Sequence, residues 1–89
     1  MKKLIYSTQF KKDFKRYRKD TQKMESLLAV LQLLAKGEPI PSEMRPHALK
    51  GHYRGCIECH IGNDFLLIWM DESATIIRLL RLGSHSELF

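Results

Sequence analysis

Arg54-Gly55-Cys56-Ile57-Glu58-Cys59-His60-Ile61-Gly62-Asn63-Asp64-Phe65-Leu66-Leu67-Ile68-Trp69-Met70 is the stretch that decides the fold. Its first half alternates. Cys56, Glu58 and His60 share one side and Ile57, Cys59 and Ile61 the other, the period of a strand. Gly62-Asn63 has the chemistry of a tight hairpin turn. From Phe65 to Met70 every side chain is apolar, which predicts a central strand buried on both faces. A strict two-residue turn at Gly62-Asn63 sets His60 opposite Phe65 and Asp64 opposite Ile61. Asp64 then reaches the face of His60 only if the loop is wider.

Downstream, Asp71-Glu72-Ser73 makes a turn, and Thr75 to Leu82 reads as the last long strand. Plain alternation puts Arg78 and Arg81 on opposite faces of it. Gly83 to Phe89 is a polar tail that ends in Leu88-Phe89. Upstream, His47-Ala48-Leu49 reads as a short strand turned at Gly51, after a loop from Glu38 to Pro46. Before that loop the period changes to that of helices. Phe10, Phe14 and Tyr17 make one apolar stripe on a helix that Ser7 or Thr8 caps and that runs to about Lys19. Asp20-Thr21 caps a second helix, with Met24, Leu27, Leu28, Leu31, Leu34 and Ala35 on its apolar face. Gly37 ends it, and Pro39 and Pro41 prevent its resumption. Lys3 to Ser7 is a first strand. The order β-α-α-β-β-β predicts an α+β fold: a helical hairpin on one face of a mainly antiparallel sheet, the other face open to a ligand.

The 89 residues make a single domain, 1–89, without repeats or low-complexity segments. No apolar run is long enough to span a bilayer, and the basic N-terminus lacks the apolar stretch of a signal peptide. A cytoplasmic location away from membranes is the expectation. The net charge is +5, and eight Lys/Arg residues against one acid, Asp13, fall between Lys2 and Lys19. Such a stretch suits a phosphate backbone or an acidic protein, or is simply a solvated helix face.

Cys56-Ile57-Glu58-Cys59-His60 matches the string of a c-type haem site, and its cysteines invite a zinc reading. Both fail on strand geometry, because residues three apart point to opposite faces. Cys59 reads instead as a small core residue and Cys56 as an incidental thiol. No metal or other cofactor is expected. The four histidines, His47, His52, His60 and His85, all lie in the second half of the chain. Imidazole exchanges protons near neutral pH, so several of them beside an arginine and a carboxylate suggest acid–base chemistry on a polyanion. His52 reads as a surface residue in a turn. Asp64 could equally be ordinary turn chemistry, and Arg81 an exposed strand-end charge.

His47 to Gly51, Arg54 to His60, Asp64 to Ile68 and Arg81-Leu82-Gly83-Ser84-His85-Ser86-Glu87-Leu88-Phe89 together resemble the YafQ branch of the RelE/ParE superfamily, the toxins of type II toxin–antitoxin pairs. The likeness covers nearly the whole chain, and the C-terminal Arg-x-Gly-x-His-x-x-Leu-Phe pattern is its most specific part. The resemblance implies a RelE-like fold and an mRNA endonuclease that works on the ribosome and is silenced by a cognate antitoxin. That partner would be acidic and partly disordered, in a hetero-oligomer that binds operator DNA through the antitoxin. The implied site residues are His47, His60, Asp64, Arg81, His85 and Phe89. Phe65 stands where some relatives carry tryptophan.

RNA cleaves when its 2′-hydroxyl attacks the adjacent phosphorus, which calls for a base, an acid and a cation. The expected roles are His85 as acid, delivered by a mobile tail, and His60 as base, with His47 and Asp64 orienting it or sharing its proton. Arg81 would stabilise the crowded phosphate, Phe65 and Phe89 would stack on bases, and Lys12, Lys15 and Lys19 would grip ribosomal RNA. Two other readings share the fold: a ParE-type toxin that poisons gyrase, and a weakly active toxin that serves with its antitoxin as a transcriptional co-repressor.

Overall fold

The computed structural model describes residues 1–89. Strand β1 (Lys3–Tyr6) leads into helices α1 (Thr8–Tyr17) and α2 (Thr21–Lys36). Strands β2 (His47–Ala48), β3 (Ile57–Gly62), β4 (Phe65–Asp71) and β5 (Ile76–Gly83) follow, and helix α3 (His85–Leu88) closes the chain. The five strands stand in the order β1-β5-β4-β3-β2, and β1 alone runs parallel to its neighbour. The helical hairpin carries the chain from one sheet edge to the other. It covers one face, α1 against β5 and α2 against β3. No helix is long and apolar enough to cross a membrane.

The helix ends follow from local chemistry. Ser7 Oγ accepts the Phe10 N–H at 3.0 Å and caps α1, while its hydroxyl donates to the Leu80 carbonyl. Asp20 caps α2 by accepting the Lys23 N–H at 3.1 Å, and Gly37 ends it in the left-handed region at φ 74°. The helices bury different residues from those the stripes predict. In α1, Phe10 and Asp13 are buried and Phe14 is exposed; in α2, Val30 joins Leu27 and Leu34 inside while Leu28 is exposed. The cause is the position of α1. β1 pairs with β5 only as far as Leu79, so beyond it β5 has a free edge, and α1 docks on that edge with Asp13 facing a backbone donor.

The helix-covered face carries the main core, including Phe10, Leu27, Val30, Cys59, Phe65, Trp69, Leu79 and Leu82. The opposite face is not simply open. Cys56, Leu66, Ile68 and Leu88 form a second, smaller cluster there, with Tyr53, Leu49, Met70 and Leu80 against it. α3 supplies Leu88, so the tail expected to be mobile is an ordered helix. A capping box holds it: Ser84 Oγ accepts the Glu87 N–H, and Glu87 accepts the Ser84 N–H at 2.8 Å. Cys56 and Cys59 fall in different clusters, on opposite faces as strand geometry requires.

Two irregularities reset the predicted registers. The hairpin turn is Asn63-Asp64, with Gly62 opposite Phe65 and a shift at Ile61 that sets His60 opposite Leu66. Asp64 takes the left-handed conformation at φ 50°, which aspartate tolerates in turns. In β5 the register slips by one residue. Ile68 faces Arg81 and Trp69 faces Leu79, so Leu80 is a bulge. The alternation is inverted beyond it, and Arg81 lies on the same face as Arg78 rather than the opposite one.

Candidate active site

The registers lay out the site. His47 is opposite Glu58, Glu58 opposite Ile68, and Ile68 opposite Arg81, one row across four strands. Directly opposed residues share a face, so all four point away from the helices. The next row on that face is His60, Leu66 and Gly83, and His85 follows Gly83 at the start of α3. Glu58 and Arg81 are two strand spacings apart, about 10 Å, with Ile68 as the floor between them.

Glu58 is the buried centre of the row. Its Oε1 lies 3.3 Å from His47 Nε2 and 3.9 Å from His60 Nε2. Its Oε2 is buried and bonds to no group of the chain. The His47 Nδ1 is 2.7 Å from the Arg45 carbonyl, so it carries a proton and donates there. Nε2 of that ring is then turned to the carboxylate. The two imidazole rings are 6.3 Å apart.

His60, Asp64 and His85 line one groove of about 620 Å³ with Glu43 and Arg45. Asp64 Oδ1 accepts the His85 backbone N–H at 2.9 Å and so fixes the start of α3. Glu87 fixes the same helix from its far side, accepting from Arg16 at 2.9 Å and from the Tyr17 hydroxyl. The Ser84 N–H, the Tyr17 hydroxyl and Arg16 hold the Glu87 carboxyl down at about 2, against partial burial. Burial and the Glu87 carboxylate push the Tyr17 hydroxyl up to about 12.

Arg81 is clamped. Its Nε donates to Asp13 Oδ2 at 2.8 Å and its Nη1 to the Tyr53 hydroxyl at 3.3 Å. The Phe89 ring is 54% exposed, 5.0 Å from the His85 ring and 5.5 Å from the Tyr53 ring. It is free on one side to stack. Phe65 is not: it is 1% exposed and packed on Tyr17 in the main core, so it offers no face to a base. Lys12, Lys15 and Lys19 are solvent-exposed on or just beyond α1. Lys12 shares a helix row with Arg16, which reaches α3. Burial pushes the Cys56 thiol up and the Cys59 thiol to about 12, so neither is a thiolate nucleophile near neutral pH.

Sequence reasoning missed Glu58, Asp13 and Tyr53. Glu58 had a signal: it is the one acid on the His60 side of an alternating strand. Asp13 had another, as the single acid in the basic N-terminal stretch, one turn from Phe10. Tyr53 had none.

The fold is of the α+β class, and the sheet face turned away from its helices carries this row of polar side chains. The family model for YafQ, described as a bacterial toxin of type II toxin–antitoxin systems, matches residues 2–89. The mRNA interferase toxin YafQ of Escherichia coli K12 is 32% identical over 85 residues, covering 94% of this chain and 91% of that protein. The crystal structure of the E. coli DinJ–YafQ complex holds a chain that is 30% identical and superimposes with a TM-score of 0.87, covering 100% of this chain and 99% of that one. A metal-bound toxin from Helicobacter pylori is 36% identical with a TM-score of 0.87, covering 100% of both chains. The chain belongs to the YafQ family of type II toxin–antitoxin toxins. In this chain no three His, Cys, Asp or Glu side chains are grouped to hold a metal ion.

Proposed function

We propose that this toxin is an endoribonuclease that cuts mRNA on the ribosome by proton transfer. The observation that carries the reading is the row His47–Glu58–Ile68–Arg81 with His60 and His85 beside it: bases, an acid and a cation on one face. In the step, O2′ bonds to phosphorus as the P–O5′ bond breaks, leaving a 2′,3′-cyclic phosphate and a 5′-hydroxyl. His60 takes the 2′-hydroxyl proton, with Glu58 and His47 beside it to share the charge. His85 gives its proton to O5′; the anchored α3 delivers it, so no mobile tail is needed. The remaining N–H on each of Nη1 and Nη2 of Arg81 holds the extra negative charge on the phosphate.

Phe89 stacks on a base from above the Tyr53–His85 cluster. Lys12, Lys15 and Lys19 contact ribosomal phosphates, which position without reading sequence. The E. coli DinJ–YafQ complex supports a cognate antitoxin, for which an acidic segment that folds on binding suits the basic surface. That assembly reaches operator DNA through the antitoxin. The toxin itself works where ribosomes are, in the cytoplasm.

The test is primer extension on a reporter mRNA translated in a purified system. Wild-type protein should produce cuts at codon positions that disappear when ribosomes are omitted. The His85→Ala variant should lose at least about 100-fold in rate. His85→Ala is the cleaner variant, since Arg81→Ala leaves the buried Asp13 carboxylate without its cation. Intact message at doses that stop growth would instead favour the gyrase or co-repressor reading.

A further inference from the structure

We propose that Asp13, on α1 and outside the polar row, is the positioning residue for Arg81. The inference rests on the reading of Arg81 as the cation of cleavage. Asp13 is 0% exposed, and a carboxylate is kept in such a place only when donors meet its lone pairs. Four donors do so. Oδ2 accepts from Arg81 Nε at 2.8 Å and from the Leu82 N–H at 3.0 Å. Oδ1 accepts from Arg81 Nη2 at 3.3 Å and from Gln9 Nε2 at 3.2 Å.

The Leu82 donor is the backbone N–H left over where β1 stops pairing at Leu79. The carboxylate is therefore tied to the sheet backbone, and the guanidinium is tied to the carboxylate along its Nε–Nη2 edge. The Tyr53 hydroxyl holds Nη1. One N–H on Nη1 and one on Nη2 remain without a partner in the chain, the fork that matches two oxygens of a phosphate. Burial alone would raise the Asp13 carboxyl, but Arg81, the Leu82 N–H and Gln9 together hold it below the usual carboxylate range. It is thus a fixed anion at neutral pH, facing away from substrate. Its part is to keep a long, flexible side chain in one orientation before RNA arrives.

The experiment times reporter-mRNA cleavage in the purified translation system for wild type, Asp13→Asn, Arg81→Ala and the double variant. The temperature is one at which circular dichroism shows each folded. Asp13→Asn keeps the shape, removes the charge and replaces an acceptor with a donor. It is expected to lower kcat about 10- to 100-fold with KM little changed. In the Arg81→Ala background the same substitution should cause no further loss, because its only route to the reaction is gone. Equal losses in both backgrounds, or wild-type kcat in Asp13→Asn, would overturn the inference. Undiminished cleavage by Arg81→Ala would be a different result and would overturn the role of Arg81 itself. Should Asp13→Asn fail to fold, NMR of the wild-type protein decides. The Arg81 Nε–H is expected as a resolved, slowly exchanging signal at neutral pH, and exchange as fast as in free arginine rejects the clamp.

Discussion

The two faces of one sheet have been put to opposite uses. Toward the helices, Phe65, Leu67, Trp69, Ile77, Leu79 and Leu82 are sealed under α1 and α2. On the other side the apolar cluster is small and stops at Glu58, His60 and Arg81. The first face holds the domain together, and the second is built to stay incompletely buried. The difference teaches that the site has been placed where its polar groups cost the fold least.

The comparison breaks hardest on the helix side. Trp69→Ala removes a large buried side chain and should cost about 3–5 kcal/mol, a large share of a small domain's stability. Urea unfolding followed by circular dichroism measures it. A loss under about 1 kcal/mol would mean that this face is not the main core. On the site side, Glu58→Gln should give the reverse profile. It removes a buried charge whose Oε2 has no partner in the chain, so stability should change by less than about 1 kcal/mol while cleavage falls tenfold or more. Wild-type cleavage by that variant would remove Glu58 from the proton path.

The smallest effect concerns the staple between the two sides, Glu87 on α3 held by Arg16 and Tyr17 from α1. The folded Glu87 carboxyl lies at about 2, below its ordinary 4.5. A lowered carboxyl adds stability that is fully present above 4.5 and is lost as pH falls from there toward 2. Melting temperatures across that window should fall less steeply for Glu87→Gln than for wild type. Parallel curves would show that the staple carries no linkage.

The fold was largely legible because period and punctuation are local properties. Alternation from Cys56 to Ile61, the apolar run of β4, and Asp20 and Gly37 at the ends of α2 each report their own neighbourhood. His47, His60 and His85 could be gathered in advance by the resemblance, and the structure brings them to one side. What escaped depended on contacts distant in sequence. The burial of Asp13 and the exposure of Phe14 follow from a free edge of β5 that exists because β1 is short. The burial of Phe65 depends on Tyr17 lying over it, and the order in α3 on Asp64, 21 residues away, reaching the His85 N–H.

The bulge at Leu80 has a genetic meaning. A strand without it would alternate evenly, sending Arg81 toward the helices and Leu82 toward the polar row. One codon's worth of backbone therefore separates a cation that faces the site from one lodged among leucines. The spacing between Leu79 and Leu82 is part of the candidate site in the same sense as any side chain, although no alignment column of identities would display it.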